Sequence, residues 1–150
     1  MFRQQIILIA AAAVAALCCT GAASAAAGVI EPTQVDGSPA GMCWSKELER
    51  SKGLWPYRHR LFLYTIWCGS AGRISYRSSS VRTDHDSICW TETGPFVQKT
   101  AGGAGYGFVE VQAWAGVACH SSLYFISFHD TLMMRVRYYP NGVYETVAYS

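Results

Sequence analysis

The chain has 150 residues, 51% of them hydrophobic and 15% charged, with a formal net charge of +2. That composition excludes a disordered or collagen-like protein and leaves room for one domain. Twelve basic residues stand against ten acidic ones with no run of like charge, so the basic stripe of a dedicated nucleic-acid binder is missing.

Met1 to Gln5 carries one cation, Arg3, and leads into the apolar run Ile6 to Cys19 and the small residues Thr20 to Ala27. A charged start, a short apolar middle and a small-residue end predict a secretory signal peptide over residues 1–27, cut near Ala25 to Ala27. The apolar run, 14 residues long, falls short of the roughly 18 to 20 that cross a bilayer. Leu17 before Cys18, and Cys18 before Cys19, do not offer the small residue that precedes an acylated cysteine. The expected destination is extracellular, with no membrane association after cleavage.

Cleavage removes Cys18 and Cys19 and leaves Cys43, Cys68, Cys89 and Cys119. An even set in an exported chain predicts two disulfides. No two of the four lie at the short spacing of a zinc knuckle, so neither a metal nor another cofactor is expected.

Residues 28–41 contain Pro32, Pro39 and little apolar periodicity, which predicts a flexible linker. All five Trp and all nine Tyr lie beyond it, in a domain expected to span residues 42–150. Period-two alternation with β-branched and aromatic residues marks strands at 44–51, 60–68, 73–81, 87–93, 96–100, 107–119, 123–129, 132–139 and 143–149. The expectation is therefore all-β: a single antiparallel sandwich or barrel-like domain of about eight to nine strands. Trp44 to Arg50 has mixed charges that would also suit a helix surface, but its neighbouring cysteine and turn favour a strand.

Hairpin turns are expected at Tyr139-Pro140-Asn141-Gly142-Val143, Gly69-Ser70-Ala71-Gly72 and Gly102-Gly103-Ala104-Gly105. The first would set Arg137 opposite Glu145. Paired residues of a hairpin lie symmetrically about its tip. Cys89 and Cys119 are symmetric about Ala104, and Cys43 and Cys68 about the Trp55-Pro56 bond. These axes select Cys43–Cys68 and Cys89–Cys119 from the three possible connectivities, each bridge stabilising the domain by roughly 3 to 4 kcal/mol in the chain-entropy model.

The same symmetry sorts the hairpin around Ala104. Val109, Val111, Ala113, Ala115, Val117 and Cys119, facing Val97, Thr93, Thr91 and Cys89, form a core face. Glu110, Gln112, Trp114 and His120 lie on the other face with Gln98, Phe96, Glu92 and Trp90. Trp90, Glu92, Phe96, Gln112 and Trp114 are the candidate ligand-binding residues, because aromatic plates beside amides and carboxylates stack on sugar rings and bond their hydroxyls. The alternative is that another sheet or loop covers these aromatics. Pro95 cannot donate a ladder bond and predicts a bulge or an edge.

Thr83-Asp84-His85-Asp86-Ser87 has the donors of a cation site or an acid–base pair, and equally those of an ordinary turn, the preferred reading. His120-Ser121-Ser122 and His129-Asp130 contain the residue types of a Ser/His/Asp triad, but no Gly-x-Ser-x-Gly elbow accompanies them. No catalytic residue is assigned. The stretch Gly102 to Gly107 lacks the Lys-Ser/Thr ending of a phosphate loop. Arg58 with Arg60, Arg73 with Arg77, and Arg135 with Arg137 would form an anion patch if their faces aligned, or a solvated strand surface with partners such as Glu145.

Cys43-Trp44, Trp67-Cys68 and Cys89-Trp90 in a small exported β domain give residues 42–150 a style that resembles uncharacterised small secreted all-β proteins of Gram-positive actinobacteria. The resemblance implies an extracellular β domain and transfers no site residue. Three functions follow from the residues. The first is a non-catalytic binding module for polysaccharide or a cell-envelope ligand. The second is a protein-interaction or inhibitor domain whose partner is an extracellular protein, using a tip such as Leu54-Trp55-Pro56-Tyr57. The third is a compact secreted hydrolase using Asp84, His85, Asp86 or His120.

Overall fold

The computed structural model describes residues 27–29, 41–121 and 126–150. The expected signal peptide lies outside the described residues except for Ala27, and the expected linker except for Gly28, Val29 and Gly41. The described chain contains β1 (Ala27–Val29), β2 (Met42–Lys52), β3 (His59–Ser70), β4 (Arg73–His85), β5 (Cys89–Gly102), β6 (Val109–Ser121), β7 (Ile126–Tyr138) and β8 (Val143–Tyr149). They build two antiparallel sheets, β2-β3-β4 and β1-β8-β7-β6-β5. Trp44 to Arg50 is part of β2, as its setting suggested.

Among the described residues of 42–150 there are seven strands, fewer than the expected eight or nine. Residues 87–93 and 96–100 belong to one strand because Pro95 sits in an irregularity, not at a break: between the pairs Cys89↔Cys119 and Phe96↔Trp114, β5 advances two residues more than β6. The missing N–H therefore interrupts no ladder bond. The expected strands 123–129 and 132–139 likewise become one, β7, over the described residues Ile126–Tyr138, with Asp130 and Thr131 paired to Val117 and Gly116. The polar pair His129-Asp130 resembled a turn, but Asp130 accepts the Thr131 N–H at 2.8 Å while the ladder continues.

Both predicted disulfides form, Cys43–Cys68 and Cys89–Cys119. The symmetry about Trp55-Pro56 holds without a slip from Met42↔Gly69 to Lys52↔His59. Two disulfides are consistent with an oxidising compartment. At the far end of the larger sheet Arg137 lies opposite Glu145. The intervening turn closes with Gly142 donating to the Tyr139 carbonyl, and Gly142 takes φ +86°, a left-handed conformation natural for glycine.

One core joins the sheets. Inward residues of β6, Val109, Val111, Ala113, Ala115, Val117 and Cys119, are all buried and belong to the same cluster as Leu61, Leu63 and Trp67 of β3 and Leu132, Met134, Val136 and Tyr138 of β7. Trp67 stacks between Trp44, centroids 6.2 Å apart, and Tyr138, 4.5 Å apart. Its indole N–H donates to the Tyr139 carbonyl at 2.8 Å, so this buried donor is satisfied by the turn before β8. The tip at Gly102 to Gly105 also crosses between sheets: Gly105 donates to the Ile74 carbonyl, and Ile74 donates to that of Tyr106.

Candidate functional site

The outward residues of β5, β6 and β7 form a surface with three zones. At one end is a charge cluster. Glu110 is buried, and its oxygens receive Arg137 Nη2 at 2.9 Å and the Thr100 hydroxyl at 2.9 Å, with Arg135 Nε at 3.8 Å. Arg137 also reaches Glu145 at 3.2 Å and lies over the Phe108 ring. Arg135 donates to Gln112 Oε1 at 3.0 Å.

Burial acts to raise the Glu110 pKa, but the Thr100 and Arg137 hydrogen bonds and the two guanidinium charges outweigh it and hold the carboxyl below its ordinary 4.5. A lowered folded-state pKa means that the carboxylate's contribution to stability is whole above about pH 4.5 and is lost as the pH falls through the lowered value. Glu110→Gln should therefore be less stable than the parent at pH 7, and the gap should shrink toward zero in acid. Urea titrations from pH 7 downward check this, and a gap independent of pH would refute it.

The middle zone is aromatic. The two extra β5 residues bring Phe96 directly opposite Trp114, with ring centroids 4.8 Å apart. Phe96 is 49% exposed and Trp90 48%, whereas Trp114 is half-buried. Gln98 and Gln112 face each other beside the stacked pair.

The third zone is a cleft of about 560 Å³ lined by Lys52, Glu92, Thr93, Trp114, Gly116, His129, Asp130, Thr131 and Ser150. Small residues on β6 make it. Gly116 and Ala118 carry no bulk outward, so Glu92 of β5 and His129 of β7 reach over β6 and meet, Nδ1 to Oε2, at 2.8 Å. A Cβ at Gly116 would stand 3.3 Å from that of Thr93. Thr93 was expected on the core face. The register step instead sets it opposite Gly116, on the cleft side.

At the cleft's rim Asp130 joins the two sheets, receiving Lys52 Nζ at 2.8 Å and lying 3.5 Å from His59 Nε2. Burial acts to raise its pKa, and the Lys52 hydrogen bond, the Thr131 N–H and the charges of Lys52 and His59 outweigh it, holding Asp130 below the usual carboxylate range.

All five candidate residues thus line one surface, though not equally: Trp90, Phe96 and Trp114 present aromatic rings, Glu92 is engaged by His129, and Gln112 by Arg135. His129, Lys52, Asp130 and Gly116 also belong to it. Their convergence depends on the register step and on the contact between sheets, which no local pattern in the sequence displays.

The other constellations separate. Asp84 pairs with Arg60, and Asp86 accepts the Arg58 N–H and the charge of its guanidinium, so 83–87 is a paired strand end and turn. His120 is exposed and Ser121 buried, on opposite sides of β6, while Ser122 lies outside the described residues. The arginine pairs make no common anion patch: Arg58, Arg60, Arg135 and Arg137 face carboxylates, and Arg73 donates to the Gly105 carbonyl. Compared with protein-family models, curated proteins and solved structures, the chain matches none.

Proposed function

We propose that the protein is a secreted, non-catalytic binding module whose two sheets stack as a sandwich and whose larger sheet takes a polysaccharide on its outer face. The observation that carries this reading is the exposed aromatic row: the Phe96–Trp114 pair at 4.8 Å and, six positions earlier on β5, the exposed Trp90. At ~3.3 Å per residue that row spans at most about 20 Å, the scale of several sugar rings. The Gln98 and Gln112 amides, with Glu92 and His129, border it with hydrogen-bonding groups suited to hydroxyls. A cell-envelope or environmental glycan is the ligand class that this mixture suits.

Pull-down on a panel of insoluble polysaccharides tests the reading. Trp114→Ala and Trp90→Ala should each weaken retention about tenfold, about 1.4 kcal/mol, while the melting temperature of Trp90→Ala stays near that of the parent. No retention of the parent protein on any glycan would reject it. Two observations favour other readings. Leu54 and Trp55 are 83% and 80% exposed at the β2–β3 tip, which suits a protein-interaction or inhibitor domain. The cleft that unites His129 with Glu92 and Asp130 suits a hydrolase, on residues other than Asp84, His85, Asp86 or His120.

A further inference from the structure

We infer that His59, Cys89 and Cys119 form a redox-gated site for a zinc-class divalent ion, closed while the Cys89–Cys119 bridge stands and open when it is reduced. Strand pairing, not sequence spacing, brings the donors together. A ring nitrogen of His59 and both Sγ atoms lie within 4.8 Å of one another, and all three residues are buried. Tetrahedral zinc with Zn–S near 2.3 Å and Zn–N near 2.0 Å places its ligand atoms about 3.5 to 3.8 Å apart. Once the S–S bond is cleaved, small side-chain rotations suffice to reach those separations.

The imidazole is prepared for this role. His59 is 1% exposed, and its Nδ1 is 3.0 Å from the Tyr57 carbonyl, an acceptor only, so Nδ1 carries the proton. In the neutral ring Nε2 then carries a lone pair in the core and has no hydrogen-bond partner. Its 3.5 Å approach to Asp130 Oδ2 makes no hydrogen bond. A backbone carbonyl that fixes the tautomer through the far nitrogen is the arrangement that orients metal-binding histidines. Two thiolates and a neutral imidazole would cancel the charge of a divalent ion, which removes the main penalty of burying it. Cys43–Cys68 has no such neighbour: among the described residues, His59 with Cys89 and Cys119 is the one triple of potential ligands.

Opening the site requires two electrons. A dithiol reductant transfers them, its two thiols becoming a disulfide as the Cys89–Cys119 bond breaks and each sulfur takes a proton. Binding of the ion then releases both thiol protons to solvent.

Cobalt(II) reads the site directly, because thiolate ligation gives a sulfur-to-metal charge-transfer band. The full chain, reduced anaerobically with a phosphine and titrated with Co(II), should show that band at one equivalent and lose it to added Zn(II). The oxidised chain should show none. The double variant Cys43→Ser/Cys68→Ser should keep the band and Cys89→Ser/Cys119→Ser should abolish it. His59→Gln should weaken Co(II) binding at least tenfold and remove the zinc-dependent rise in melting temperature of the reduced chain. Absence of the band in the reduced parent, its dependence on Cys43 and Cys68, or its indifference to His59→Gln would each overturn the assignment.

Discussion

Trp67→Ala should lower the free energy of unfolding by about 3 to 5 kcal/mol, the cost of deleting a large buried aromatic. Three losses combine there. The indole is fully buried, it stacks on Trp44 and Tyr138, and its N–H holds the Tyr139 carbonyl at the turn before β8. Truncation leaves a cavity at the contact between sheets and takes from that carbonyl the shorter of its two hydrogen bonds, leaving only the one from Gly142. With total stabilities of about 5 to 15 kcal/mol for domains of this kind, the variant should lose about a fifth or more of its folding free energy. Urea unfolding at constant m-value is the measurement. A loss under 1 kcal/mol would mean that the two sheets do not depend on this residue.

Gly69→Ala should cost about 2 to 3 kcal/mol, for the opposite reason: there is no room for the methyl group. A Cβ at Gly69 would run into the carbonyl oxygen and Cα of Pro140, atoms of backbone that cannot rotate aside. The turn joining β7 to β8 would have to lift from β3, which it covers. Gly107→Ala is the matched control, since nothing lies within 4 Å of its new Cβ, and it should change stability by about 0.5 kcal/mol or less. Equal melting temperatures for the two variants would contradict the close approach at Pro140.

What could be read in the sequence was local or symmetric. The alternation of β6, the Pro-Asn-Gly turn and the pairing of cysteines about two hairpin tips depend only on neighbours and mirror positions, and they reappear in the structure. The strand count failed where a polar pair or a proline imitates a break: Asp130 bonds its neighbour's N–H without leaving the ladder, and Pro95 sits in the step of register. That step also explains what was illegible at the candidate site. Two absorbed residues move Phe96 onto Trp114 and Thr93 to the cleft side, and an alternation pattern contains no record of how many residues a bulge takes up. His59 and Lys52 were invisible for another reason, because their partner Asp130 belongs to the other sheet.

Each disulfide closes one hairpin, and neither joins the two sheets. β2-β3-β4 is one continuous stretch of chain, β5-β6-β7-β8 is the next, and Asp86 to Ile88 is the span between them. The domain is therefore two covalently closed halves held by a shared apolar seam, with β1 a strap from the first half laid along β8 of the second. A single backbone cut between Asp86 and Ile88 would release no disulfide-linked piece to the other side. Fragments 27–86 and 88–150 could be made separately, each oxidised on its own, and mixed. Their reassembly would make this fold a natural split reporter, with a cleft whose lining lies mostly on one fragment and is completed only at Lys52 by the other.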